Sequence, residues 1–133
     1  MINKLKKITI TSYNMELQTF IDNNSNYVEI LKQNKFKIKK YNKYNSILIT
    51  NHYDKPLTYN DENDYWKMYC RGAIINTELN KVICLPPVKS VEIKKDNCED
   101  YLQYEEIQYL IDGTMINLFF INDEWIISTR SEI

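Results

Sequence analysis

At residue 36 the spacing of apolar side chains changes from the period of a helix to that of a strand. Residues 13–33, "YNMELQTFIDNNSNYVEILKQ", set Met15, Leu17, Phe20 and Ile21, then Val28, Ile30 and Leu31, at helical intervals on either side of "DNNSN" at 22–26. That predicts two short helices. From Phe36 onward "FKIKKY" and "SILIT" alternate around "NKYN", the pattern of a β-hairpin. Residues 54–64, with Pro56 and four acids, are expected as a loop. A strand is expected over "WKMYCRGAII" (66–75), a turn in "NTELNK", and a return strand in "VICL" (82–85). Pro86 and Pro87 stop that strand, because proline cannot donate to a ladder. Three more strands are expected in "YEEIQYLI", "TMINLFFI" and "EWIISTR", joined by tight turns at Asp112-Gly113 and Asn122-Asp123. The implied fold class is α+β, with short N-terminal helices followed by a mostly antiparallel sheet in a single domain over residues 1–133.

A chain of 133 residues with 44% hydrophobic and 26% charged side chains has the material for one core, and its composition is that of a folded, soluble protein. No apolar run approaches eighteen residues, and "MINKLKKITITSY" turns polar too early for a signal sequence. The expectation is a cytoplasmic location with no membrane association. Cys70, Cys84 and Cys98 are odd in number and hold no CxxC pair, so buried, reduced thiols are expected and no zinc site. Heavy use of asparagine, isoleucine, lysine and tyrosine, with little glycine, proline or alanine, suggests an AT-rich coding genome, such as that of a large DNA virus or an AT-rich microbe. For a viral source the location becomes the host cytoplasm.

The near-neutral total hides a strong asymmetry. Residues 1–43 carry nine lysines against Glu16, Asp22 and Glu29, whereas residues 96–133 carry nine acids against Arg130. Opposite signs favour a meeting of the two ends in the fold. The basic stretch "KFKIKKYNKY" (35–44) also suits a nucleic-acid backbone, with Tyr41 and Tyr44 to stack on bases, or else a solvated edge strand. His52 reads as a satisfied loop or strand histidine, and Asp61, Glu62 and Asp64 as a solvated acidic loop.

Three stretches, "YCRGAIINTELNKVICLPPVKSVE" (69–92), "YLIDGTMINLFF" (109–120) and "WIISTRSEI" (125–133), together resemble the phage-type ATP-dependent RNA ligases of the covalent nucleotidyltransferase superfamily. The resemblance spans residues 35–133 and rests on order and spacing as much as on identity. It implies the first half of a nucleotidyltransferase domain. Arg71 would approach the nucleotide phosphates, where a guanidinium fork matches phosphate oxygens. Lys89, after the proline pair, would lead toward the site. Asp112 and Gly113 would be the Asp-Gly of the transfer motif, and Arg130 the basic residue that contacts nucleotide, with Ser131 where the family commonly has glycine.

The departure from the family lies at Leu110, where its nucleophilic lysine would stand. Covalent nucleotidylation needs a lysine amine to attack the α-phosphate, and Leu110 has no lone pair. Neither Gln108 nor Tyr109 replaces it. The family's downstream carboxylates for a metal ion and its lysines for the α-phosphate have no counterpart either, although the transfer depends on them. The resemblance thus implies a catalytically inactive RNA-ligase-like chain that needs no cofactor, with ATP and magnesium relevant only where nucleotide binding is retained, and with RNA as the candidate partner. An active nucleotidyltransferase using another lysine such as Lys89, or a separately encoded partner, stays open. So does a structural or interaction protein. Apolar surface in "INLFFI" and "WIIS", left without the family's remaining elements, predicts a protein partner or a homo-oligomer.

Overall fold

In the computed structural model, which describes residues 15–51, 62–88 and 113–133, the strand that organises the chain is "SILI". The elements in order are α1 (Met15–Asn23), α2 (Tyr27–Gln33), β1 (Ile38–Tyr41), a 3-10 turn (Asn42–Tyr44), β2 (Ser46–Ile49), a 3-10 helix (Glu62–Tyr69), β3 (Ile74–Asn76), β4 (Lys81–Cys84), β5 (Asn117–Ile121) and β6 (Glu124–Ser128). Strands β1 to β4 form an antiparallel meander in chain order, and β5 and β6 form a separate hairpin. The fold is α+β, as its sequence periods indicate.

All four residues of β2 and all three of β3 are buried. Successive strand side chains point to opposite faces, so such strands must be covered on both. Ile47, Ile49 and Ile75 enter one core with Leu17 and Ile21 of α1, Tyr27 and Leu31 of α2, and Phe36, Trp66, Cys70 and Ala73. Leu48 and Ile74 enter a second core with Phe119, Ile121 and Ile126 of the hairpin. The meander is therefore the middle of three layers, between helices and hairpin. A bulge assists this arrangement: Ile74 pairs with Cys84 but Ile75 with Val82. The extra residue, Ile83, puts both Ile83 and Cys84 against the hairpin core while Val82 stays on the helical side.

Helix α1 also blunts the free edge of the meander. Gln18 Oε1 accepts from the Val82 N–H at 2.9 Å, and its Nε2 donates to Asn80 O at 2.9 Å. Side-chain cover of an edge strand removes groups that would pair with another chain. The end of α2 is a Schellman motif. Phe36 N donates to Leu31 O at 3.0 Å and Lys35 N to Lys32 O at 2.9 Å, with Phe36 and Leu31 in the same core.

One reading of the sequence is corrected by the structure. Residues 66–75 are not one strand: 62–69 form the 3-10 helix and pairing begins at Ile74. The alternation of Trp66, Met68 and Cys70 competes with the 3–4 spacing of Trp66, Tyr69 and Cys70. Helical spacing prevails because it stacks Trp66 on Phe20, with centroids 3.8 Å apart and planes 4° from parallel. The tight turn expected at Asp112-Gly113 includes Asp112, which lies outside the described residues. The one expected at Asn122-Asp123 is present: both residues take the positive φ of a type I′ turn, 51° and 61°, and close the β5–β6 hairpin. The strand expected at 104–111, with Cys98, lies outside the described residues, as do His52 and Asp61. Among the described residues no helix is long and apolar enough to cross a membrane.

Lys35 sits at the left-handed position of the Schellman motif with φ of 64°, where glycine has no Cβ penalty. Lys35→Gly should stabilise the protein by about 0.5–1 kcal/mol. Urea unfolding of the two proteins checks this, and a loss of stability would mean that the lysine side chain holds the turn.

Candidate functional site

Three segments meet at Gly72. The turn Cys70–Ala73 is closed by Ala73 N donating to Cys70 O at 3.0 Å, with Gly72 at φ of 80° as the third residue. That is where a type II turn requires glycine. The turn is also stitched to β2, since Gly72 N donates to Ile49 O and Ile49 N to Ala73 O. A Cβ at Gly72 would lie 2.9 Å from Pro86 Cγ, 3.0 Å from Arg130 Cγ and 3.2 Å from Arg130 Cα. The loop after β6 therefore rests on the residue beside Arg71.

Arg130 is fixed from two directions. Its Nη2 donates to Pro87 O at 3.1 Å, across the end of β4. The turn that carries it is closed by Thr129, whose N donates to Glu132 O at 2.8 Å and whose Oγ1 accepts from the N–H groups of Ser131 and Glu132. Glu132 in turn binds β1: Lys39 Nζ donates to its Oε1 and Tyr41 OH to its Oε2. Lys39 Nζ also donates to Ser131 O, and Ile133 N to Tyr41 OH. A second ion pair, Lys43 to Glu124 at 2.9 Å, joins the same basic segment to the hairpin. These pairs are the meeting of basic and acidic ends that the charge pattern anticipates.

Both guanidiniums are half-buried, and each Nε is buried with no hydrogen-bond partner among the described residues. Burying an unpaired donor costs about 1–3 kcal/mol, so two such donors flanking one glycine are unusual in a native fold. Chemically, each guanidinium is a cationic donor suited to an oxyanion.

Of the remaining residues singled out in the sequence, Gly113 is exposed and a Cβ there would meet nothing within 4 Å. Lys89, Leu110 and Asp112 lie outside the described residues. Tyr41 and Tyr44 are half-buried, each with one side packed against the hairpin core, and the Lys43 ammonium lies 4.8 Å from the Tyr44 ring centroid. Asp64 pairs with the buried Lys67 at 2.6 Å rather than lining an open acidic loop. Among the described residues no group of three His, Cys, Asp or Glu side chains is placed to hold a metal ion. Cys70 is fully buried and Cys84 partly so, and burial pushes the Cys84 thiol up to about 11 despite its hydrogen bond with Ser128.

The clamp of Lys39, Tyr41 and Glu132 could not be read from the sequence residue by residue. Only the charge asymmetry signalled it. The structural part of Gly72 is visible beforehand solely as the "RG" dipeptide. Compared with protein-family models, with curated proteins and with solved structures, the chain matches none.

Gly72→Ala should destabilise the protein by about 2–4 kcal/mol, combining the left-handed backbone with a clash against Pro86 and Arg130. Chemical denaturation measures it, and a cost below about 1 kcal/mol would show that the loop of Arg130 yields freely.

A pH dependence follows from the clamp. The Glu132 carboxyl is held below its ordinary value, first by the Lys39 hydrogen bond and then by that from Tyr41. A depressed carboxylate stabilises the fold above its unfolded pKa, and the contribution is lost as pH falls through the folded value. Glu132→Gln should therefore lower the melting temperature at pH 7, with the difference closing below about pH 4. A difference that persists unchanged to pH 3 would remove the charge from the explanation.

Proposed function

We propose that this chain binds a phosphate group of a nucleotide or RNA between Arg71 and Arg130 and performs no covalent nucleotidyl transfer. The observation that carries the reading is the packing of Arg130 on Gly72, beside Arg71, with an orphaned, buried Nε on each arginine. The exposed parts of the two half-buried side chains would supply the donors, since a guanidinium fork binds phosphate with two parallel hydrogen bonds. The resemblance to RNA ligases supports the same pair, because Arg71 and Arg130 are the two basic residues its motifs single out within the described part of the chain.

The absence of chemistry rests on Leu110, which cannot attack phosphorus. Arg71 and Arg130 suit the phosphates of ATP, whereas no described side-chain cluster suits magnesium, and no step is assigned to the metal. What remains is recognition: two cationic groups held by a turn and a loop, with their positions set by β2 and by the Glu132 clamp.

Titration with a fluorescent single-stranded RNA and with a fluorescent ATP analogue tests the reading. Arg71→Gln and Arg130→Gln keep most of the side-chain stem, and each should weaken binding about tenfold or more. Each should also lower the salt dependence by roughly one phosphate contact. Intact mass after incubation with ATP and magnesium should show no nucleotide adduct. Binding that ignores both substitutions would sink the site, and an adduct on any lysine would overturn the claim of no transfer.

A further inference from the structure

The outward face of the β5–β6 hairpin is as apolar as the inward one. Phe119, Ile121 and Ile126 are buried against the sheet, yet Leu118, Phe120, Trp125 and Ile127 are 54–66% exposed. They form two rungs, Leu118 opposite Ile127 and Phe120 opposite Trp125. The two rings meet edge to face, with centroids 5.3 Å apart. Ile116, two residues ahead of Leu118, lengthens the strip and is 65% exposed. An antiparallel sheet that faces water on one side normally alternates apolar with polar. Here the alternation is absent, which is the pattern of strands enclosed on both faces.

We infer that this face is the contact surface of a homodimer, with a second copy of the chain laid across it face to face. Its chemistry is that of a protein interface core: none of the four outward rung residues is charged, and Trp and Phe dominate. Beside the turn Lys43 and Glu124 neutralise each other in an ion pair, and Asp123 in the turn itself is an exposed negative charge. Nothing on the face itself would hold a polyanion.

Size supports a second copy. From the exposure of its five side chains the strip presents on the order of 700 Å², above the largest patch of an ordinary monomer. A standard interface buries about 800 Å² per partner. The pattern is also self-complementary. A two-fold axis in the plane of the contact, crossing the strands between the two rungs, lays the aromatic rung of each copy on the aliphatic rung of the other. Such a contact is isologous and closes at two subunits.

The dimer leaves Arg71 and Arg130 outside the strip, so it stands or falls separately from phosphate binding. Sedimentation velocity of the full chain from about 1 to 100 μM should show a monomer–dimer equilibrium. Phe120→Lys and Ile127→Lys should each weaken it by roughly 30-fold or more. Far-UV circular dichroism should be unchanged, because neither side chain enters a core. Arg71→Gln should leave the dimer intact. A readout on the unaltered protein needs no variant: Trp66 is already buried, so the fraction of tryptophan fluorescence quenched by acrylamide reports Trp125 and should fall as concentration rises. A monomer throughout the range, a dimer indifferent to both lysine substitutions, or quenching independent of concentration would overturn the assignment.

Discussion

The whole arrangement depends on a strand that water cannot be allowed to reach from either side. With Ser46, Ile47, Leu48 and Ile49 all buried, β2 needs cover above and below. Burying one such aliphatic side chain contributes about 1.5–3 kcal/mol, and truncating one to alanine costs about 2–5 kcal/mol. The helices and the hairpin are the two answers to that requirement. Neither cover is interchangeable with the other, because Ile47 and Ile49 point to one and Leu48 to the other.

The candidate site is a by-product of how these layers are tied together. The β2 carbonyl of Ile49 receives the Gly72 N–H, which fixes the turn of Arg71 to the central strand. Arg130 arrives on the opposite cover, at the end of β6, and reaches Pro87 across the end of β4. Glycine at 72 is what allows the two covers to touch at this point, and the Lys39–Glu132 pair keeps the second one in place. A donor pair built at the junction of layers is positioned by the fold itself, with loops contributing only the last few residues.

The helices, the β1–β2 hairpin, the β4 strand and the Asn122-Asp123 turn were legible because each expresses its structure locally, in a period or a turn dipeptide. The 3-10 helix at 62–69 was not, since over so short a span two-residue and three-to-four-residue spacing both fit Trp66, Met68, Tyr69 and Cys70. Only the stacking of Phe20 decides between them, and that contact is distant in sequence. Arg71 and Arg130 could be singled out through motif order alone. Their convergence on Gly72 depends on a contact 58 residues apart, which no local pattern encodes. The partial cover of Tyr41 and Tyr44 was not legible either, because the hairpin that packs on them comes from the far end of the chain.

The order of the layers along the chain has a consequence for biosynthesis. Helices α1 and α2 and strands β1 to β4 all precede residue 85, whereas the residues that cover Leu48 and Ile74 lie between 119 and 126. A ribosome working from the N-terminus completes the helical side of the sheet first. Until the hairpin emerges, Leu48 and Ile74 lack their cover, and apolar surface left bare on a nascent chain is what chaperones bind and neighbouring chains adhere to. The interval between residue 85 and the hairpin is thus a stage at which this side of the sheet has nothing of its own to cover it.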